Sequence, residues 1–202
     1  RRLDGARGSA GALCLHSLPV FSQRMPQNTL PPPLTAPEQL NAALHTQGFA
    51  VLSAASVCAL AGVRAQDLQA LEPSWHNLPP DQYLKDGGRY RRRRYAVLSA
   101  QSATSKIQLE PHQPHYQSLD YNTLNGGVAR EFEPILPETV QSHSMQSILK
   151  FCQMVFSELM PSTPWHIECH QFRIEANQNA HGKPTPEGVH RDGVEFVLVM
   201  MI

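Results

Sequence analysis

The feature that most constrains the fold of this chain is a long amphipathic segment followed at once by strand-like sequence. Apolar side chains recur at i, i+3, i+4 and i+7 spacing within residues 138–159, which predicts one helix with a single buried stripe. The stripe consists of Met145, Ile148, Leu149, Cys152, Val155, Phe156 and Leu159. Residues 166–176 alternate in polarity, and residues 196–202 are apolar throughout, so both runs predict strands. A packing helix followed by strands indicates an α+β fold with helices on one face of a β-structure.

Shorter elements are predicted earlier in the chain. Residues 57–60 and 65–71 favour short helices, whereas the apolar runs at residues 48–53 and 95–98 favour strands. A triple proline at residues 31–33 predicts a stiff, extended entry into the folded part.

The composition fits a soluble globular domain and argues against two classes of partner. The 202 residues can form one domain, and 17 basic side chains balance 17 acidic ones, so no net charge attracts nucleic acid or a membrane. The longest apolar run is too short to cross a bilayer. The four cysteines are scattered without a C-x-x-C pair, which favours buried reduced thiols in a cytoplasmic protein.

The N-terminal sequence differs from the rest of the chain. It begins with Arg1 and is rich in arginine, glycine and alanine. We expect a natural start at Met25 and place the residues before it outside the fold. The predicted organisation is a disordered or non-native segment at residues 1–34, followed by one domain at residues 35–202.

The motif that carries chemistry is H-x-D, formed by His190 and Asp192 around Arg191. Residues i and i+2 lie on the same face of an extended chain, so an imidazole nitrogen and a carboxylate oxygen can reach one cation. One histidine and one carboxylate are two thirds of the 2-His-1-carboxylate triad of non-haem iron oxygenases. Gly193 permits a sharp turn after the carboxylate, and the apolar run beyond it predicts a dry wall. The pair alone is a weak signal, because H-x-D occurs often by chance.

Four segments in order resemble the bacterial 2-oxoglutarate-Fe(II) dioxygenase family that includes the L-isoleucine 4-hydroxylases. They are GGRYRRRRY at residues 87–95, NGG-x-x-R-x-F at 125–132, HQFR at 170–173 and PEGVHRDGVEFV at 186–197. The resemblance covers roughly residues 39–202 and is specific only because the four segments occur together.

The resemblance implies a fold and an activity. The implied fold is a double-stranded β-helix, a cupin-like jelly roll with flanking helices. The implied activity is hydroxylation of a small substrate, for several members a free aliphatic amino acid, with Fe(2+), 2-oxoglutarate and O2. His190 and Asp192 correspond to the first two iron ligands of the family.

The family pattern continues to a distal histidine and a basic residue, usually arginine, that binds 2-oxoglutarate. Ten residues follow Asp192 here, and none is histidine or arginine. We therefore expect this chain to lack the C-terminal strands, to bind iron(II) weakly, to be inactive as it stands and to aggregate. The alternative is a catalytically inactive jelly-roll module that binds a small molecule. A histidine and an arginine downstream in the reading frame would favour the enzyme.

Several residues are candidates for substrate contacts. His115, Gln117 and Asn122 lie in a polar stretch that resembles a pocket-lining segment of the family, although an ordinary surface loop has the same composition. Arg130 suits either an internal salt bridge or a substrate carboxylate.

The arginine run at residues 89–94 leaves three interpretations open. Alternation along a strand sends Arg91 and Arg93 to one face and Arg92 and Arg94 to the other. One set can be solvated while the other contacts an anionic substrate or a partner carboxylate. Nucleic-acid binding is the third interpretation, and the neutral net charge argues against it.

Three further histidines, at positions 166, 170 and 181, could form a second metal site. Their spacing is loose and no carboxylate is fixed with them, so ordinary histidines are favoured.

Overall fold

The computed structural model describes residues 9–17, 32–86, 89–122, 124–176, 182 and 192–202. Within these ranges, one five-stranded mixed sheet has the strand order β3-β2-β4-β1-β5, and five α-helices accompany it. The strands are β1 Ser9–Ser17, β2 Arg91–Ala100, β3 Gln108–Leu109, β4 Trp165–Ile174 and β5 Phe196–Met201. The helices are α1 Leu40–Gln47, α2 Ala54–Ala61, α3 Ala65–Gln69, α4 Pro137–Val140 and α5 His143–Leu159.

An antiparallel ladder between β2 and β4 forms the centre of the sheet. It pairs Arg91 with Ile174 at one end and Ala100 with Trp165 at the other. The short β3 continues the antiparallel pairing at one edge through Leu98 and Leu109. The register places alternate residues of both strands on opposite faces, which separates an apolar face from a polar one.

The apolar face of the ladder packs against the helices. Ala96, Leu98 and Ala100 of β2 join Cys169 and Trp165 of β4 in the main core. The predicted stripe of α5 packs in the same core, where Met145, Ile148 and Leu149 are at most 1% exposed. The predicted α+β layout, with helices on one face of a sheet, is therefore confirmed.

The helix predicted for residues 138–159 is in fact two helices. Ser142 separates α4 from α5, and its side chain accepts a hydrogen bond from the backbone nitrogen of Met145 at 3.3 Å. A serine that caps a helix in this way ends the preceding turn, because its own backbone is extended. The predicted outer bounds agree closely with the structure, since α4 begins at Pro137 and α5 ends at Leu159.

One predicted strand is wrong. Residues 48–53 are irregular, and Val51 pairs only with Thr35, through Thr35 N to Val51 O at 2.7 Å and Val51 N to Thr35 Oγ1 at 3.2 Å. An apolar run favours a strand only where a neighbouring strand is available. Here Ala50 and Leu52 pack against the helical core instead.

The strand β1 lies between β4 and β5 and is parallel to both. This pairing departs from the expectation that residues 1–34 lie outside the fold. The facing edges of β4 and β5 offer backbone N–H and C=O groups that an extended segment satisfies through its own backbone, so the pairing depends little on composition. The remaining residues of that segment, apart from 32–34, are not among the described ones, and the domain boundary stays a prediction.

The strand β5 has one packed face and one exposed face. Phe196, Leu198 and Met200 pack against the main core, and the Phe196 ring stacks on Phe156 with centroids 4.7 Å apart. Val199 and Met201 on the other face are 59% and 70% exposed. No helix within the described ranges is long and apolar enough to cross a bilayer.

Candidate functional site

The polar face of the β2–β4 ladder carries a buried ionic group. Asp81 accepts from the Nε of Arg91 at 2.8 Å and lies 3.7 Å from the Nη1 of Arg93. Its side chain is fully buried, and its Oδ1 also accepts from the backbone nitrogen of Tyr83. The alternation predicted for the arginine run is confirmed, since Arg91 and Arg93 are the buried members. Both were candidates for substrate contacts, and both contact a carboxylate of the protein itself.

Beside this group, two arginine–histidine pairs surround one carboxylate. Arg93 Nη2 lies 2.5 Å from His170 Nδ1, and Arg130 Nη2 lies 2.8 Å from His115 Nδ1. Glu168 accepts from the hydroxyl of Tyr95 at 2.8 Å, and its second oxygen lies 3.5 Å from His115 Nε2. We call these six residues the polar cluster. It lies on the face of the sheet opposite the helices.

Aromatic rings enclose the polar cluster. The guanidinium of Arg93 lies 3.7 Å from the centre of the Phe132 ring and 4.5 Å from that of Phe172. The His170 ring stacks on Phe172 with centroids 5.4 Å apart. Cations over aromatic faces are favoured, particularly away from water. The rings therefore keep the cations of the cluster fixed and largely dry.

Burial and neighbouring charges set the protonation states of the cluster. Burial, reinforced by the positive charge of Arg93, holds the pKa of His170 well below 6.5. Burial likewise lowers the pKa of His115, although Glu168 opposes the effect. Burial alone would raise the pKa of Glu168, but contact with His115 and the hydrogen bond from Tyr95 outweigh it and lower that pKa. The polar cluster therefore contains two neutral imidazoles and one ionised carboxylate.

His115, Glu168 and His170 have ligand-type atoms within 4.8 Å of one another, which invites comparison with an iron triad. The donor set does not fit a divalent metal. Arginine is only a donor, so the Nδ1 atoms that face Arg93 and Arg130 must accept, and each neutral ring then carries its proton on Nε2. A ring nitrogen that carries a proton has no lone pair for a metal, and two adjacent guanidinium groups repel a cation.

The carboxylate of the H-x-D motif lies at the start of the segment that leads into β5. Asp192 is exposed, and it lies before the first residue of β5, Phe196. Gly193 turns the chain there with φ 74°, and a Cβ at this position would lie 2.8 Å from the Tyr121 ring, so the predicted turn is confirmed. An exposed aspartate can serve as a metal ligand, whereas the polar cluster does not fit a metal. His190 lies outside the described residues, as does His181.

A chain of amides connects Asp192 with the polar cluster. The Nε2 of Gln117 lies 3.5 Å from the backbone oxygen of Asp192. Its Oε1 accepts from Asn122 Nδ2 at 3.0 Å and lies 3.5 Å from Arg130 Nη2. The candidates Gln117, Asn122, Arg130 and His115 are therefore contiguous, and they extend from the backbone of Asp192 into the cluster.

A family model described as 2OG-Fe dioxygenase matches residues 72–202 of this sequence. The chain belongs to the 2OG-Fe dioxygenase family. Fe(2+) is accordingly the cofactor, and 2-oxoglutarate the co-substrate, of the family to which this chain belongs. The resemblance stated from the four segments is confirmed.

Three individual proteins are similar to this chain. The 3(1)-hydroxy-L-isoleucine 4-dioxygenase of Pantoea ananatis (strain AJ13355) is 25% identical over 140 residues, which are 67% of this chain and 55% of that protein. The crystal structure of a bsmA homologue from Methylobium petroleophilum PM1 gives a TM-score of 0.73 at 35% identity, over 81% of this chain and 65% of that one. The structure of IDO from Bacillus thuringiensis, at 19% identity, shares the fold with a TM-score of 0.60, over 78% and 66% of the two chains. The chain thus spans from about half to two thirds of the length of these relatives.

Sequence reasoning missed three members of the candidate site. Asp81, Tyr95 and Glu168 were not among the candidates. Tyr95 continues the alternation of Arg91 and Arg93, and Glu168 lies two residues before His170, so the period of the strands offered a signal for both. Asp81 offered none, because its pairing joins a loop to a strand.

The lowered pKa values of His170 and His115 predict that acid destabilises the folded protein. Below about pH 6.5 the unfolded chain takes up protons at His170 and His115 more readily than the folded chain does, so the free energy of unfolding is highest above that pH and declines below it. We expect the free energy of unfolding to fall by about 1.4 kcal/mol per pH unit between pH 6 and 5 through His170, with a further fall in the same direction through His115. Urea denaturation at several pH values measures this slope.

The variant His170→Asn should reduce that slope by about 1.4 kcal/mol per pH unit, the contribution of one proton. Exposed His45 provides the matched control, and His45→Asn should keep the slope of the unsubstituted protein. A slope that is unchanged in His170→Asn would mean that this imidazole is protonated in the folded protein.

Proposed function

We propose that the full-length protein is a non-haem Fe(II)- and 2-oxoglutarate-dependent dioxygenase that hydroxylates a small substrate, a free L-amino acid. Family membership over residues 72–202 supports the class of reaction. The substrate class is supported by one relative whose name states that it acts on a hydroxylated isoleucine. The observation that carries the proposal is the contiguity of an exposed Asp192, in the family's H-x-D motif, with a buried cluster of fixed charges.

In this proposal His190 and Asp192 supply two protein ligands to iron. With 2-oxoglutarate and O2, bound iron(II) supplies the oxidant that replaces a substrate C–H bond with C–OH, while 2-oxoglutarate is converted to succinate and CO2. The exposed position of Asp192 leaves its oxygens accessible to a metal. The neighbouring Gln117 contacts the Asp192 backbone and so limits the positions that the carboxylate can take.

The polar cluster would bind and orient the substrate. Arg130 and Arg93 provide positive charge, and Glu168 provides negative charge, so the cluster presents both signs that a zwitterionic amino acid requires. The surrounding rings exclude water, which strengthens each of these charges. Because the groups are already hydrogen-bonded to one another, little reorganisation accompanies binding.

We further propose that the described sheet is one half of a jelly roll. The polar cluster and the exposed side chains of β5, namely Val197, Val199 and Met201, are consistent with an inner face that a second sheet would cover. The site would then lie between the two sheets.

The test is succinate release by the full-length protein, with iron(II), 2-oxoglutarate and O2, across a panel of free L-amino acids. We expect release above the uncoupled background for at least one aliphatic amino acid, and none for its N-acetylated form, which lacks the ammonium group. If amino acids raise the melting temperature without any succinate, the protein is a binding module and not an enzyme. If the N-acetyl form is turned over equally well, the substrate is not a zwitterion.

A further inference from the structure

A small cavity lies beside the polar cluster. It has a volume of about 220 Å³ and is bounded by two segments of the chain. Its lining residues are Gln82, Tyr83, Leu84, Lys85, Asn125, Val128 and Arg130. Lys85 and Asn125 belong neither to the H-x-D motif nor to the polar cluster, so the proposed function gives them no role.

The polar groups of this cavity are mainly donors of hydrogen bonds. Lys85 and Arg130 bring positive charge, and among its lining residues there is no aspartate or glutamate. Asn125 is 2% exposed. Its Oδ1 accepts from the backbone nitrogen of Lys85 at 3.2 Å, whereas its Nδ2 has no hydrogen-bond partner within the described part of the chain. A buried donor without a partner is unfavourable, so it indicates a group that accepts.

The backbone fixes this donor in place. Asn125 N donates to Asn122 Oδ1 at 2.7 Å, and Gly126 N donates to Asn122 O at 2.8 Å. A Cβ on Gly126 would lie 2.6 Å from the backbone oxygen of Ser118 and closer still to that of Asn122, so only glycine fits this turn. The cavity wall is therefore preorganised, which reduces the entropy lost on binding.

The remaining wall is apolar. Leu84 is buried, and Tyr83 and Val128 complete the lining with carbon surface. A ligand that satisfies both parts of the cavity combines one anionic group with a short hydrocarbon chain. The volume is below the range of drug-sized pockets, about 300–1,000 Å³, which limits the ligand to a few carbons.

We propose that this cavity is a binding site for a small aliphatic carboxylate, held by Lys85, the Nδ2 of Asn125 and Arg130. The lining carries no carboxylate that would pair with an ammonium group, so the cavity itself recognises only the carboxylate end of a ligand. Arg130 also contacts His115 and Gln117, so the site adjoins the cluster that the proposed substrate would occupy. The carboxylate could belong to that substrate or to a separate effector, and the experiment distinguishes the two.

The experiment is a titration of the metal-free, 15N-labelled full-length protein, followed by two-dimensional NMR. The probes are 3-methylbutanoate and, as its cationic counterpart, 3-methylbutylamine. We expect the side-chain amide signals of Asn125 and the backbone signal of Lys85 to shift saturably with the acid and not with the amine. Since neither iron nor 2-oxoglutarate is present, the result is independent of the proposed catalytic activity.

Variants at Lys85 test the charge without disturbing the core, because this side chain is exposed. Lys85→Gln should raise the dissociation constant for 3-methylbutanoate about tenfold, as expected for the loss of one charge-assisted contact. Lys85→Arg should restore the original value. Exposed Lys106 provides the matched control, and Lys106→Gln should bind as the unsubstituted protein does.

Leucine, which carries the same hydrocarbon chain with an α-ammonium group, identifies the source of the carboxylate. If it shifts the same signals at lower concentration than 3-methylbutanoate, the site holds the carboxylate of an amino acid substrate. If it binds more weakly, the site serves a separate acid, and both results support a carboxylate site. Three results would overturn the proposal. They are an equal response to the amine, an unchanged dissociation constant in Lys85→Gln, and no saturable shift up to about 50 mM acid, a range that covers weak binding.

Discussion

The variant Asp192→Asn should lose 2-oxoglutarate turnover by more than about 100-fold in the full-length protein, and His190→Ala should do the same. Removing a residue that only orients a metal ligand costs about 10–100-fold, and removing a ligand should cost more. Asparagine has the shape of aspartate without its charge, so the variant tests the metal bond and not the packing. Succinate release measures the loss, and an anaerobic iron(II) titration should show weaker binding in both variants.

A matched control is available for the change of carboxylate to amide. Glu138 lies at the exposed start of α4, and Glu138→Gln should retain the activity of the unsubstituted protein. Near-normal turnover in either Asp192→Asn or His190→Ala would remove the assignment of the H-x-D pair. The polar cluster would not then become the metal site unless His170→Asn also abolished iron binding.

The second large effect concerns stability. Asp81→Asn should lower the free energy of unfolding by about 3–5 kcal/mol, because it removes the carboxylate that two buried guanidinium groups contact. All three side chains are buried, since Asp81 is 0% exposed, Arg91 8% and Arg93 3%. Water therefore cannot replace the lost oxygen. Denaturant unfolding, monitored by far-UV circular dichroism, gives the value.

An exposed ion pair serves as the comparison for Asp81. Asp67 pairs with Arg64 at 2.7 Å on the surface, where solvent screens the interaction, so Asp67→Asn should leave the unfolding midpoint almost unchanged. If the two variants prove equally mild, water reaches the Asp81 group and the charges of that face are not buried as described.

The elements that the sequence predicted well have periodic patterns of their own. The stripe of α5 and the alternation of β2 and β4 each repeat within one segment, and packing against a single core reinforces the repeat. The run at residues 48–53 had no comparable period. Its apolar residues bury themselves against helices, so burial alone was mistaken for strand pairing.

Predictions at the site divide along the same line. The family motif pointed to Asp192, and composition pointed to the stretch that contains His115, Gln117 and Asn122, which the hydrogen bonds join into one group. No local pattern could indicate Asp81, because its arginine partners lie at least ten residues away on another element. Pairings of this kind depend on how the loop folds back over the sheet.

The attachment of the segment at residues 115–134 has a consequence for how such a protein can change. This segment carries His115, Gln117 and Arg130, and besides their side-chain contacts it is linked to β2 by a backbone hydrogen bond, Tyr95 N to Glu133 O at 3.0 Å. Backbone bonds tolerate many side chains, so substitutions in the segment can alter what is recognised while the strand ladder is inherited intact. Libraries intended to redirect substrate preference should therefore diversify this segment, with Gly126 and the strands left constant.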